Sequence, residues 1–377
     1  MAQVSENISS EDAVNRRLPH LSLYLQGAAM LQIFSEEDKI DLLRGIKLYQ
    51  EHKFKRSCNH SDYDVVWQEG QSRVLHYKSV SGAAKQALFI VPSMINKSYI
   101  LDLSAEQSFV RWLCAQGLDV YLFDWGVACD DAHMKTVDDV LKHKLLKAAQ
   151  ELFAQQKAQQ IHALGYCMGG TLLAGMLQHC DDVFCSNVFL AAPWDFHAGD
   201  NSLRQAIQAG TGAALQIIEA ENRLPSTWVD NVFASVQIEK SIRKYIAFSK
   251  MDQESKQARL FVAVEDWLHE GLDLPGEIGR TCLMDWYGQN MTAKGTWNAM
   301  GQVVDLSLIK APSLVVASEN DKLVPSKSSR AMSTQLRTCD VMQPQCGHIG
   351  MMTSKNAETA LWKPLLSWVE KQSAMAM

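Results

Sequence analysis

Residues 161–173 read Ile161-His162-Ala163-Leu164-Gly165-Tyr166-Cys167-Met168-Gly169-Gly170-Thr171-Leu172-Leu173. This is an apolar run, then a cysteine with glycines two positions either side, then a second apolar run. A strand that turns sharply into a helix presents a nucleophile in this way, at a backbone position so crowded that neighbouring side chains would collide. Gly165 and Gly169 remove those side chains. The helix that follows aims its N-terminal amides at the sulfur and favours the thiolate, the form that attacks a carbonyl carbon. Such a nucleophile needs a base and an acid. The segment Gln345-Cys346-Gly347-His348-Ile349-Gly350 sets a histidine between glycines, and His348 is the candidate base. The segment Ser318-Glu319-Asn320-Asp321-Lys322-Leu323-Val324-Pro325 presents carboxylates after an apolar run; Asp321 is the preferred acid and Glu319 the alternative. Cysteine, acid and histidine in this order form a triad for acyl transfer through a covalent intermediate.

The tetrahedral intermediate of that chemistry needs two amide donors for its oxyanion. One belongs to the residue after the nucleophile, Met168. The other is expected from Val91-Pro92-Ser93-Met94-Ile95-Asn96, with Ile95 the preferred residue.

Strands and helices must alternate to hold these residues. Short β-branched and aromatic runs at Arg73 to Tyr77, Ala87 to Val91, Val120 to Asp124, Ile161 to Leu164, Asn187 to Ala191, Ser313 to Ala317 and Asp340 to Gln343 read as strands. Their near-continuous apolar character suits a mostly parallel sheet covered by helices on both faces. With the glycine-framed nucleophile and the order of the triad, the fold class is α/β, of the α/β-hydrolase type. The domain boundaries expected are an N-terminal helical segment 1–60, a core of 61–197 and 300–377, and a helical cap or lid, 198–299, without a clear strand. In the first segment, Ser35 and Asp38 form a capping box for a helix through Ile40, Leu42, Leu43, Ile46 and Leu48. Leu21 to Phe34 is apolar at helical spacing, as a face packed on the body or a surface for a partner or granule.

The chain has 377 residues, 47% hydrophobic and 21% charged, with a net charge of -6. That is enough apolar material for a large core, and the charge disfavours nucleic acid, which needs clustered Lys and Arg. Met1 to Arg17 lacks the apolar stretch of a secretory signal and no run of 18 apolar residues occurs, so the expected location is cytoplasmic, with no transmembrane segment. The nine cysteines form no C-x-x-C pair, and no spacing of His, Asp and Glu suggests a metal. His76, His162 and His197 read as packing or surface residues.

Several separated segments carry a resemblance to a known family. They are Val91 to Leu103, Gln116 to Gly126, the Cys167 turn, Pro193-Trp194-Asp195-Phe196, Phe261 to Trp267, Asp285-Trp286-Tyr287-Gly288-Gln289-Asn290, Asp321 to Pro325, and Gly347 to Gly350. Together they resemble polyhydroxyalkanoate synthases, especially the short catalytic subunits of the class III type, over about residues 87 to 365. Lys322 stands where that family usually has histidine. The resemblance implies polymerisation of 3-hydroxyacyl-CoA with release of CoA. It implies that Cys167 carries the growing chain, that His348 activates it, and that Asp321 helps activate the 3-hydroxyl. It implies no cofactor, acyl-CoA being a substrate, and as partners a polyester granule surface and either a homodimer or a partner synthase subunit. The rival readings are a synthase-like thioesterase or hydrolase acting on acyl-CoA or hydroxyacyl esters, in which water resolves the acyl-enzyme, and a non-catalytic granule-associated homologue.

Overall fold

The computed structural model describes residues 20–54, 56, 62–82, 84, 86–153, 160–180, 182–199 and 202–376. Met1 to Arg17 and Cys58 lie outside them. The chain divides into two compact units, one of residues 1–57 and 230–271 and the other of 58–229 and 272–377. The insertion expected at 198–299 is thus shared between the two.

The larger unit is built on eight strands: β1 (Asp64–Glu69), β2 (Ser72–Tyr77), β3 (Gln86–Val91), β4 (Asp119–Asp124), β5 (Gln160–Tyr166), β6 (Ser186–Leu190), β7 (Ser313–Val316) and β8 (Cys339–Met342). Their spatial order is β1-β2-β4-β3-β5-β6-β7-β8. The first two pairings, β1 with β2 and β2 with β4, are antiparallel, and every later one is parallel. This mostly parallel sheet agrees with the α/β class. The strands expected from apolar runs are present, with ends shifted by a residue or two. Strand β1 was not expected, because Asp64-Val65-Val66-Trp67-Gln68-Glu69 is an edge strand whose only buried residue is Trp67. An edge strand carries little of the apolar pattern by which strands are recognised.

Burial explains why the central strands read so clearly. Leu88, Phe89, Ile90 and Val91 of β3 are fully buried, as are Val188, Phe189 and Leu190 of β6. All ten residues of the helix Met168–Leu177 are buried as well, which is why its sequence is apolar on every side. The insertion is not wholly helical. Arg223–Leu224 pairs with Leu274–Pro275, and Asn298–Ala299 with Gln302–Val303, in strands of two residues too short to leave a period-2 signal.

The smaller unit is helical. The capping box forms as expected: Ser35 Oγ accepts from the Asp38 amide at 3.1 Å and Asp38 Oδ2 from the Ser35 amide at 3.0 Å. The helix it starts, Glu36–Glu51, buries Leu42, Ile46 and Tyr49, while Ile40 and Leu43 face outward at 58% and 46% exposure. Tyr24, Ala28 and Phe34 of the apolar N-terminal stretch share that core with Ile242, Tyr245, Ile246, Phe248, Ala258 and Val262. Inside it, Tyr245 Oη and Lys244 Nζ both donate to Glu265, each at 2.7 Å, and Tyr49 Oη donates to Asp266 at 2.9 Å.

The helices Glu36–Glu51 and Ile238–Ser249 meet at Gly45, where a methyl group would fall on the Tyr245 carbonyl oxygen. Backbone cannot swing aside as a flexible side chain can, so Gly45→Ala is expected to destabilise the protein by about 1–3 kcal/mol. Chemical denaturation measures this, and an unchanged midpoint would show that the two helices can part freely.

Candidate active site

The candidate site collects at the C-terminal ends of β5, β6, β7 and β8, the edge at which open α/β sheets bind ligands. Cys167 follows β5 directly and has φ 55° and ψ -129°. Few residues other than glycine adopt such a conformation. Three close approaches hold it there. A side chain at Gly165 would fall on the backbone of Gly170, one at Gly169 on the carbonyl oxygens of Val91 and Pro92, and one at Gly170 on Ala192. The Cys167 amide donates to the Leu190 carbonyl at 2.9 Å, and the Gly170 amide to the Cys167 carbonyl at 2.8 Å. The sulfur therefore stands at the start of the helix Met168–Leu177, as the glycine spacing leads one to expect.

The candidate acid and base sit on two loops that are tied together. Ser318 Oγ donates to the Cys346 carbonyl at 2.5 Å, and Asn320 Nδ2 donates to Gln345 Oε1 at 3.2 Å. Between those ties, His348 Nδ1 and Asp321 Oδ2 are 2.6 Å apart. The other oxygen of Asp321 accepts the amides of Leu323 and Val324, each at 2.9 Å. Those bonds fix the carboxylate and fill its lone pairs. Glu319 faces elsewhere, with Oε1 accepting from Ser326 Oγ at 2.7 Å and Gln343 Nε2 at 3.1 Å. Of the two carboxylates open in the sequence, Asp321 is the one that meets His348. Lys322 is exposed.

Burial works against a charged His348 ring. The Asp321 carboxylate, with contributions from Tyr166 and Cys167, outweighs that penalty and holds the imidazole pKa well above its ordinary value. An imidazolium kept in place by a fixed carboxylate is the partner that a thiolate needs. Tyr166 secures the same ring from another side. Its hydroxyl donates to the His348 carbonyl at 3.0 Å, and its ring stacks on the imidazole at 5.3 Å between centroids. Burial raises the Tyr166 pKa, so that hydroxyl remains a donor. Tyr287 is also within electrostatic reach of the Cys167 sulfur. Sequence reasoning gave neither tyrosine a role; the position of Tyr166 beside the nucleophile was the available signal.

The candidate oxyanion donors are less evenly placed. Met168 opens the helix beside the sulfur. Ile95 lies on the loop after β3, near the Val91 and Pro92 carbonyls at the end of that strand that abut Gly169. Its amide donates to Ser93 Oγ at 3.2 Å, and its carbonyl accepts from Leu272 at 2.8 Å. The three histidines read as packing or surface residues have local explanations. His162 is buried between Ser186 Oγ and Ser373 Oγ at 2.8 and 2.9 Å, and burial pushes its pKa down to about 4. His76 stacks on Tyr121, and His197 Nε2 meets the Tyr287 carbonyl at 2.9 Å.

The sequence profile of the Alpha/beta hydrolase family matches residues 98–360. The chain belongs to the alpha/beta hydrolase family. Within it, a second profile, Poly-beta-hydroxybutyrate polymerase (PhaC) N-terminus, matches residues 29–113 and extends the synthase likeness upstream of residue 87 into the helical segment. Among curated relatives, the chain is 29% identical to the poly(3-hydroxyalkanoate) polymerase subunit PhaC of Haloferax mediterranei, over 82% of this chain and 64% of that one. It is 25% identical to the subunit of the same name from Thiocystis violacea, over 83% and 89%, and 27% identical to that of Synechocystis, over 82% and 84%. The chain thus spans just under two thirds of the Haloferax subunit. Among solved structures, the monoacylglycerol lipase of Paleococcus ferrophilus is similar with a TM-score of 0.47 and 14% identity, over 80% of this chain and all of that one. The resemblance to polyhydroxyalkanoate synthases drawn from the separated motifs is borne out. Among the described residues no helix is long and apolar enough to cross a membrane.

Two outcomes follow from this geometry. Burial pushes the Cys114 and Cys282 thiols up to about 12, and Cys129 and Cys339 up to about 11, so those sulfurs stay protonated near neutral pH. Iodoacetamide is expected to label Cys167 first, as read by peptide mapping; faster labelling of another cysteine, with activity retained, contradicts the assignment. The second outcome concerns His348. Because Asp321 raises its pKa while burial lowers it, Asp321→Asn should shift the His348 titration to lower pH, as followed by its ring proton resonance. An unmoved titration would mean that Asp321 does not hold the imidazolium.

Proposed function

We propose that this chain is an acyltransferase that polymerises 3-hydroxyacyl-CoA into polyhydroxyalkanoate, through a covalent thioester on Cys167. The observation that carries the reading is the 2.6 Å pairing of His348 with Asp321, on loops beside a cysteine held at φ 55°. The printed names of the relatives supply the substrate class, poly(3-hydroxyalkanoate).

The Cys167 thiolate attacks the thioester carbonyl carbon, and the tetrahedral oxyanion lies against the Met168 amide. A second donor comes from the loop after β3, with Ile95 the candidate once its amide exchanges Ser93 Oγ for the oxyanion. The carbon–sulfur bond to CoA breaks, and the departing CoA thiolate takes the proton from His348. One thioester has replaced another at little thermodynamic cost. The 3-hydroxyl of a second hydroxyacyl-CoA then attacks the acyl-Cys167 carbonyl and gives its proton to His348, and the acyl carbon–sulfur bond breaks to restore the Cys167 thiolate. The acyl-CoA one unit longer is taken back onto Cys167 by the first step, with release of its CoA. Asp321 acts through His348 in both halves, since its own oxygens are occupied by His348 and by two amides. No cofactor enters either step.

Water is the competitor for the acyl-Cys167, and in this reading the stretches 198–229 and 272–299 of the expected lid, which belong to the larger unit, keep it out. In this reading the protein works in the cytoplasm at the surface of a polyester granule, as a homodimer or with a partner synthase subunit.

His348→Ala is expected to cut CoA release by about 10²–10⁴-fold, the usual contribution of a general base. The more discriminating substrate is an acyl-CoA lacking the 3-hydroxyl. It should acylate Cys167 and stall, giving a burst of about one equivalent of CoA per site and then slow release. Sustained turnover of that analogue to free acid, with no acyl group found on Cys167, identifies a thioesterase instead.

A further inference from the structure

The backbone that carries His348 is not locked by packing. A methyl group at Gly347 would meet nothing nearer than the Asn320 carbonyl oxygen at 3.8 Å, and one at Gly350 nothing nearer than the Ser354 side chain at 3.7 Å. Neither glycine has a positive φ. At Gly165, Gly169 and Gly170, by contrast, there is no room for a side chain. A glycine that neither space nor φ demands leaves the chain freedom that a side chain would remove. His348 therefore sits between two joints.

What holds this segment comes from other parts of the chain. Before Gly347, Ser318 and Asn320 tie Cys346 and Gln345. After Gly350, Trp362 Nε1 donates to the Met351 carbonyl at 2.8 Å and Gln107 Nε2 to the Met352 carbonyl at 2.6 Å. Between the joints, Thr353 Oγ1 donates to the Ile349 carbonyl at 3.1 Å from within the same short turn. Among the described residues, the side chain that arrives there from elsewhere is Tyr166, whose Oη donates to the His348 carbonyl at 3.0 Å. The Met351 amide lies 3.4 Å from that carbonyl and makes its shorter bond, 2.9 Å, to Gly347.

Tyr166 is buried, ends β5 and directly precedes Cys167. One residue thus runs into the nucleophile through its backbone and reaches the base through its hydroxyl and its stacked ring. His348 Nδ1 is committed to Asp321, so the place of Nε2, the nitrogen left for the sulfur, follows from where the His348 main chain stands. A displacement of about 1 Å at such a point can cost on the order of 10²-fold in rate.

We propose that the Tyr166 hydroxyl is the latch that sets His348 against Cys167. Tyr166 is a positioning residue, acting through His348 in both half-reactions. The proposal rests on the reading of Cys167 and His348 as nucleophile and base, and adds to it what fixes the distance between them. A tyrosine that only packed would change stability and leave the chemistry of the folded protein as it was.

The test is Tyr166→Phe in the full chain, which removes the hydroxyl and keeps the stacked ring. With 3-hydroxybutyryl-CoA, kcat for CoA release should fall about tenfold while KM changes about twofold or less. The His348 ring proton titration should move to lower pH, because a ring free to leave Asp321 loses the charge that favours imidazolium. Placing 4-aminophenylalanine at position 166, which returns a donor to the same spot, should restore most of kcat. An unchanged kcat with an unmoved titration, a lower thermal midpoint without a loss of kcat, or a loss that the amino donor does not recover would each overturn the latch. Should the Phe variant not fold, the 4-aminophenylalanine protein decides through the same kcat and titration, which must match those of the native chain. Failure of the underlying reading looks different: the native protein itself then gains no acyl group on Cys167 from 3-hydroxybutyryl-CoA.

Discussion

A cysteine at φ 55° is the constraint around which the larger unit is arranged. Such a conformation costs on the order of 1–3 kcal/mol and persists only where the surroundings over-determine it. Here they do so by leaving no room for anything else. Gly165, Gly169 and Gly170 bring the end of β5, the start of its helix, the carbonyls after β3 and Ala192 into direct contact. The same crowding puts the sulfur at the helix N-terminus and sets the loop after β3 beside it, so the proposed nucleophile and oxyanion donors share one geometric cause.

The proposed acid and base, Asp321 and His348, depend on a different device. Two loops that follow β7 and β8 are cross-tied by Ser318 and Asn320, and the carboxylate between them is fixed by two backbone amides. Fixing Asp321 in this way places a charge beside His348 that outweighs the ring's desolvation, while Tyr166 holds the ring from the other side. The proposed chemistry draws on both devices: the turn presents the sulfur, and the tied loops keep a proton available for the leaving CoA. The smaller unit, with its Tyr245–Glu265–Lys244 cluster, is a separately packed helical body.

Much of the core was legible because its causes are local. Glycines two positions either side of Cys167, the Ser35 and Asp38 capping box, and the apolar runs of β3 and β6 each leave a short-range mark in the sequence. What could not be read depends on partners distant along the chain. The choice between Glu319 and Asp321 turned on Ser326, Gln343 and two amides. The bond from the Ile95 amide to Ser93 and the position of Tyr287 near the sulfur leave no local pattern either. Strand β1 escaped because an edge needs little burial, and the split of the insertion between two units escaped because which body a helix packs on, at 202–221 or 238–249, depends on partners distant along the chain.

The central claim is that Cys167 carries a polyester chain as a covalent thioester. It is tested most directly by mixing the protein with 3-hydroxybutyryl-CoA for short times, quenching in acid, and weighing the peptide that contains Cys167. The account predicts a ladder of masses on that peptide, each step one 3-hydroxybutyryl unit heavier, with one CoA released per unit. An unmodified Cys167 peptide alongside free 3-hydroxybutyrate, or an acyl ladder on a different residue, would contradict it.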